Sequence, residues 1–317
     1  MLNQPIRISV TLLAASGAAW AQIPTQPGPA QIEQVRQVAI PEARISLSPR
    51  PKPQSEIEAF DAETDDAFGA QVILKENPKV MPFTGWAEVA GFYTNNVALA
   101  RRGRLDDTFL TNTFGLAYHK ALKPALMFDA SVRGSLYRYN RFNELDFQSL
   151  DPSVSLTWLP GKLENTALYV RYGYNQLTAA SDGHEFFNSH SVAIGAQKAW
   201  PLARAHSVIA GLQAQWSWAA PSESQRDEYS AYVGYHADIA RNFSTDLNYR
   251  FAVFDYRDSP IGRRDRSHIF TLGFRYALED WLSVSATTFW NSNSSNHDVF
   301  SYEVWNIGGN LGLSAKF

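Results

Sequence analysis

From about residue 83 to Phe317 the chain repeats one pattern: strand-length runs in which apolar and polar side chains alternate. Successive side chains of a β-strand point to opposite faces, so each run reads as a strand with one greasy face and one wet face. In SVIAGLQAQWSW, Val208, Ala210, Leu212, Ala214, Trp216 and Trp218 oppose Ser207, Gly211, Gln213, Gln215 and Ser217. In FSTDLNYRFAV, Leu247, Tyr249, Phe251 and Val253 oppose Asp246, Asn248, Arg250 and Ala252. About twelve such runs are readable, starting near residues 84, 107, 124, 145, 165, 185, 205, 227, 243, 266, 281 and 299. The first, TGWAEVAGFYTNN, has an ambiguous phase because Trp86 and Glu88 fall together. The connections alternate too. HKALKPA, LPGKLEN, AWPLARAH, IARNFS and YALEDWL are tight; LARRGRLDD, YNRFNELD, TAASDGHEF, APSESQRDE, YRDSPIGRRDRSH and NSNSSNHD are longer and more polar. Long and short loops in alternation imply an up-and-down antiparallel meander whose two rims differ.

Alternation alone does not say which face is inside. Three features favour apolar side chains outside and polar ones within. The polar phase is dominated by Ser, Gly, Thr, Asn and Gln, with isolated Arg and Asp, whereas a soluble surface carries more Lys and Glu. The chain holds 9 Trp, 14 Tyr and 19 Phe, and many gather at strand ends. Trp158, Trp200, Trp281 and Phe317 fall at the short-turn rim; Trp216, Trp218, Tyr229, Trp290 and Tyr302 fall toward the long-loop rim. Amphipathic rings favour the headgroup level of a bilayer, so two such belts have a physical cause. Finally, strands of about ten residues suit a tilted crossing of hydrocarbon, and closing the sheet leaves no unpaired edge in lipid. The expected fold class is therefore all-β: a closed up-and-down antiparallel transmembrane β-barrel of about twelve strands over residues 83–317.

The N-terminal part reads differently. MLNQPIR carries Arg7, an apolar run follows from Ile8, and Ala19-Trp20-Ala21 has the small-x-small form of a secretory cleavage site, so residues 1–21 are expected to be a signal peptide. Residues 22–54 hold seven prolines and little periodicity, and read as an extended, mostly disordered segment. Residues 55–66, SEIEAFDAETDD, carry six acids and no base. The whole of 22–82 is expected to be either a periplasmic linker or, through 55–80, an acidic plug drawn into the barrel. No cysteine is present, which excludes disulfides, thiolate metal sites and a cysteine nucleophile. A net charge of −3 gives no support to nucleic-acid binding.

The signal peptide, the alternating strands and the terminal Phe317 together resemble a Gram-negative outer-membrane β-barrel, porin-like in class, with no subfamily assigned. The resemblance covers about residues 83–317 and implies a bacterial outer-membrane location, both termini periplasmic, and outer-membrane lipid as the surrounding partner. It also implies that the last strand, with Phe317, Leu313 and Leu311, is the signal read by the barrel-assembly machinery.

The chemistry expected inside such a barrel is that of its polar phase. Arg133, Arg171, Arg250 and Arg275 fall near strand middles, with Asp129, Asp238 and Asp246 nearer the short turns and His236 beside Asp238. Arginines at a constriction polarise it and select anions, or pair across the lumen and close it. Enzymes exist in this class, but no His here stands two residues before a Ser, and His190-Ser191 and His206-Ser207 point to opposite faces. No catalytic residue, metal site or cofactor is assigned, and His236 with Asp238 reads first as a lumen hydrogen bond. The leading expectation is a channel for small hydrophilic, anion-biased solutes. A non-conducting structural or docking barrel is the alternative, and a lipid-modifying enzyme the third.

Overall fold

The computed structural model describes residues 26–38 and 81–317; the signal-peptide reading of 1–21 and the acidic run 55–66 lie outside them. One helix, α1 (Pro29–Val38), is followed by twelve strands: β1 (Phe83–Thr94), β2 (Asp107–Lys123), β3 (Leu126–Tyr139), β4 (Phe147–Trp158), β5 (Thr166–Ala179), β6 (Glu185–Ala203), β7 (His206–Ala220), β8 (Asp227–Ala240), β9 (Phe243–Asp255), β10 (Arg264–Glu279), β11 (Leu282–Ser295) and β12 (Tyr302–Lys316). Each strand pairs antiparallel with the next, and β12 returns to β1, so the sheet is a closed barrel. At the seam Thr84 faces Lys316 and Thr94 faces Asn306, and Phe83 and Phe317 exchange two backbone bonds of 3.0 Å. Closure satisfies the backbone of both end strands, which an open sheet in lipid could not do.

The two rims differ as the loop pattern requires. β2–β3, β6–β7, β8–β9 and β10–β11 are joined by two residues each, with a register shift beside the turn. The opposite rim carries the longer loops, three of which fold into single 3₁₀ turns at Asn143–Leu145, Ser222–Ser224 and Asp298–Phe300.

The side-chain pattern is inverted relative to a soluble barrel. Val89, Leu116, Leu156, Val170, Ile194, Leu212 (65% exposed), Val233 and Leu311 point outward. Thr111, Ser135, Ser149, Ser189, Gln197, Ser230, Ser267 and Asn291 are buried inside. The ambiguous first strand resolves by its neighbours: Val89 and Tyr93 are exposed while Ala90 and Thr94 are buried, so Trp86 and Glu88 lie on the inner phase. Trp86 can lie there because its ring covers Gly115, where a Cβ would come within 2.2 Å of it. Hydroxyls and amides pair along the inner wall, as in Thr113–Ser135 (3.0 Å), Ser131–Ser153 (3.0 Å) and the bond from Asn310 Nδ2 to Glu88 Oε1 (2.8 Å). These bonds meet the demand of polar groups withdrawn from bulk water.

The inner phase is not polar along its whole height, and this corrects part of the sequence reading. Toward the long loops Phe109, Tyr137, Tyr139, Phe147, Leu177 and Phe187 form a buried cluster with Val97, Phe142 and Leu145 of the loops. Tyr302, assigned above to the outer aromatic belt, points inward and packs with Leu99 and Val304. Its neighbour Trp305 takes the outward position and meets Trp290 with centroids 6.4 Å apart.

The second correction concerns residues 22–54, read as extended. Within them Pro29–Val38 form α1, and the helix sits inside the barrel at its long-loop end. Pro29 occupies the first helical position, where its fixed φ and missing N–H cost nothing, and Gln31 Oε1 accepts from the Gly28 N–H at 3.0 Å. Ten residues do not hold a helix in water. This one is held by enclosure: Ile32 and Val35 enter the aromatic cluster, and Gln31 and Gln34 are buried beside them. Gln34 donates to the Val97 carbonyl (3.2 Å) and accepts from the Tyr139 hydroxyl. The earliest described residues thus lie at the opposite end of the barrel from Phe317.

Candidate functional site in the barrel lumen

Below the helix the lumen is lined by charged and polar side chains. A cavity of about 240 Å³ lies between α1 and the inner faces of β4 to β10. Arg36, Arg171, Arg226 and Arg250 line it together with Asp151 and Glu228, and Asn175, Ser189, Ser191, Gln213, Gln215, Ser230 and Tyr232 fill the gaps. Every second residue of each strand projects here, so one phase of six strands supplies nearly all of these groups.

The charges divide into those that hold the helix and those that do not. Arg226, in the loop before β8, donates from Nη1 to Glu33 Oε2 of α1 at 2.8 Å and to the Tyr256 hydroxyl at 3.1 Å. Its Nη2 lies 3.8 Å from Glu228, its guanidinium stacks 3.8 Å from the Phe254 ring centre, and it is 6% exposed. Burial opposes its charge, but Glu33, Tyr256 and Glu228 outweigh burial and raise its pKa further. Arg250 pairs with Glu228, and Arg133 with Asp151 at 3.4 Å. Asn175 also donates to Asp151.

Arg36 is placed less comfortably. It reaches the Ser224 carbonyl at 3.2 Å and the Phe187 ring at 5.1 Å, but Glu33 is 3.9 Å away and already engaged by Arg226. Burial first, and the Arg226 charge second, push its pKa down to about 10. Arg171 has no carboxylate partner among the described residues; it lies 6.0 Å from the Tyr169 ring centre and faces the cavity. Tyr169 and Tyr232 stand beside it with their rings flat on Gly195 and Gly211, where a Cβ would come within 2.4 Å. Their hydroxyls donate to Gln213 and Gln197, each at 2.9 Å, which leaves the Gln213 amide N–H groups for the cavity. Gly211 and Gly234 are covered in the same way, by Tyr232 and Asn248.

The remaining sequence-predicted lumen residues gather at the short-turn mouth. His236 holds Asp246 at 2.8 Å and Asp238 at 3.2 Å. Asp129 holds His119, which was not singled out above, at 2.6 Å. Arg275, opposite Ser244 and Ser285, is exposed there with Asp238 and His119. That mouth is open to solvent, whereas the long-loop end is roofed. On the outer face Trp158, Trp200 and Trp281 are exposed near the short turns, and Trp216, Trp218 and Trp290 lie on the outward phase toward the long loops. Leu311 and Leu313 of β12 point outward beside Phe317, whose ring stacks on Phe83 at 5.8 Å.

Arg133, Arg171 and Arg250 are thus brought to one level of the lumen, and Arg275, His236, Asp238, Asp246 and Asp129 to another. Sequence reading missed Arg36, Glu33, Arg226 and Glu228. The last two sit at a loop–strand junction, where alternation is not yet established. Arg36 and Glu33 lie in a stretch whose prolines conceal a helix.

No protein-family model matches this sequence, and neither does the sequence of any curated protein. In structure the chain is similar to the COG4313 outer membrane channel from Pseudomonas putida F1, with a TM-score of 0.55 and 11% identity over 78% of this chain and 100% of that one. Looser matches include a bacterial polysaccharide outer membrane secretin (TM-score 0.46, 10% identity, 74% of this chain and 98% of that one). Another is the outer membrane channel DcaP of Acinetobacter baumannii (TM-score 0.43, 10% identity, 74% and 96%). At such identities the likeness is one of fold: a closed antiparallel barrel of the bacterial outer-membrane type.

Proposed function

We propose that this protein is an outer-membrane channel for small hydrophilic solutes, with anions favoured, and that α1 closes it at the long-loop end. The observation that carries the reading is the charge-lined cavity itself. In and beside it stand Arg36, Arg133, Arg171, Arg226 and Arg250 against Glu33, Asp151 and Glu228, an excess of positive charge in a confined space. Charged rings and narrow polar passages of this kind select permeating ions. A barrel needed only as a support gains nothing from unpaired lumen charge, which costs desolvation free energy. In this reading the short turns face the periplasm, and solutes reach the cavity from the exposed mouth at Arg275 and His119.

The rival reading, a sealed barrel that docks something else, draws on the aromatic roof around Ile32 and Val35. Planar-bilayer recordings of the full chain and of a variant lacking residues 29–38 separate the two. The channel reading expects small or rare steps from the full chain, larger steps from the variant, and a reversal potential on the anion side. Flat traces from both, with heat-modifiable protein in the bilayer, would overturn it.

A further inference from the structure

We infer that the lumen cavity is a binding site for a small oxyanion, a carboxylate or phosphate group on a hydroxylated molecule, and that its two halves belong to different elements: Arg171 on the barrel wall and Arg36 on α1. The inference deepens the channel reading and rests on it for its biological sense.

The argument starts from charge. Of the arginines lining the cavity, Arg226 and Arg250 are neutralised by Glu33 and Glu228 at contact distance. Arg171 has no such partner among the described residues, and Arg36 shares Glu33 at 3.9 Å with an arginine that holds it more closely. An uncompensated guanidinium in a confined space is an unsatisfied demand for an anion, and its planar fork fits carboxylate or phosphate oxygens two at a time. The neutral lining gives the second half of the specificity. Gln213 keeps its amide N–H groups and Ser189 lines the cavity with its hydroxyl, while Ser191 and Ser230, whose hydroxyls donate to the Gly173 carbonyl and to Glu228, offer acceptor oxygens, all suited to the hydroxyl groups of a polar solute. At about 240 Å³ the cavity is smaller than a typical drug-sized site of roughly 300–1,000 Å³, so the ligand is a small one.

The composite construction has a thermodynamic consequence. Arg36 contributes to the site only while α1 is docked, so an anion in the cavity binds the docked state better than the undocked one. It also relieves the repulsion between Arg36 and Arg226. Anion binding and helix docking are then linked, each strengthening the other by the same factor.

The test is a calorimetric titration of the full-length protein in detergent, at constant ionic strength set with chloride, using inorganic phosphate and gluconate as separate probes. Saturable binding of at least one probe is expected, weakened at least tenfold in both Arg171→Gln and Arg36→Gln. If phosphate alone binds, the anionic group dominates; if gluconate binds more tightly, the neutral lining contributes as argued. Helix docking is followed in parallel by the thiol reaction rate of Val35→Cys, which the anion should slow at least threefold in the otherwise wild-type chain and not when combined with Arg36→Gln. Folding of every variant is checked by heat-modifiability, and Arg171→Lys, which keeps the charge, should retain part of the affinity. No saturable binding by the wild type, or equal affinity in Arg171→Gln, overturns the site. Full affinity in Arg36→Gln, or a cysteine rate indifferent to the anion, overturns the composite construction. Binding is read here without current, so a silent bilayer defeats the channel reading alone, and absent binding with normal current defeats this one alone.

Discussion

Leu212 and Val299 show what the same exposure means on two sides of a boundary. Both are exposed, Leu212 at 65% on the outer face of β7 and Val299 at 75% in the 3₁₀ turn of the last long loop. One faces lipid and the other water. Leu212→Arg should therefore destabilise the barrel by about 2–4 kcal/mol, as a cation near the bilayer midplane does, while Val299→Arg should stay within about 0.5 kcal/mol. Urea unfolding of the protein refolded in phospholipid vesicles measures both, and equal effects would remove the case for the outward face. The inner wall is sensitive in another way. A Cβ at Gly211 would come within 2.4 Å of the Tyr232 ring and 2.8 Å of the Ala196 carbonyl. Gly211→Val should cost about 1–3 kcal/mol by overpacking, and the same substitution in a Tyr232→Ala background should cost less, because the ring is gone while the carbonyl remains. The double-mutant cycle in the same unfolding assay reports the coupling.

At the scale of elements, the strands were legible and the helix was not, for one physical reason. A strand in a lipid-embedded wall has faces of extreme contrast, hydrocarbon on one side and water on the other, so a run such as Val208 to Trp218 declares its phase without help. α1 has no such contrast. It is enclosed on nearly every side by a lumen that is aromatic above and polar below, so Gln31, Ile32, Gln34 and Val35 are all buried and no apolar stripe results. The same mixed surroundings hid Tyr302, an aromatic at a strand end that belongs to the roof and not to the outer belt. The arginines of the inner phase could be named from alternation, but which of them keeps an unmatched charge depends on Glu33 and Glu228, and those contacts cross long stretches of sequence. Two elements invite direct tests. Glu33→Gln removes the anion that anchors α1 to Arg226, a charge-assisted bond worth about 1.5–3 kcal/mol; the variant should open more often in bilayer recordings, and an unchanged open fraction would show that the aromatic contacts alone hold the helix. In β12, deleting Phe317 removes both backbone bonds to Phe83 and a ring pair worth about 0.5–1.5 kcal/mol. The yield of heat-modifiable barrel should fall, while export, followed by the appearance of processed chain, should not.

For the whole molecule, the closed ring of strands and the helix inside it make one object. Val38 ends α1 at the long-loop end, and Phe83 begins β1 at the short-turn rim, where it is bonded to the last residue of the chain. The intervening 44 residues are long enough to join those points several times over, at roughly 3.4 Å per extended residue. Length therefore sets no limit on the connection, but sequence order does. The helical segment comes first in the chain, and the strand that shuts the ring around it, β12 against β1, comes last. Either the helix is already in place when the hoop is fastened, or it must enter afterwards through the one mouth that the loops leave uncovered. In both cases the molecule has a history as well as a shape: a stopper captured during closure leaves by a different road, and at a different speed, from one that arrived later.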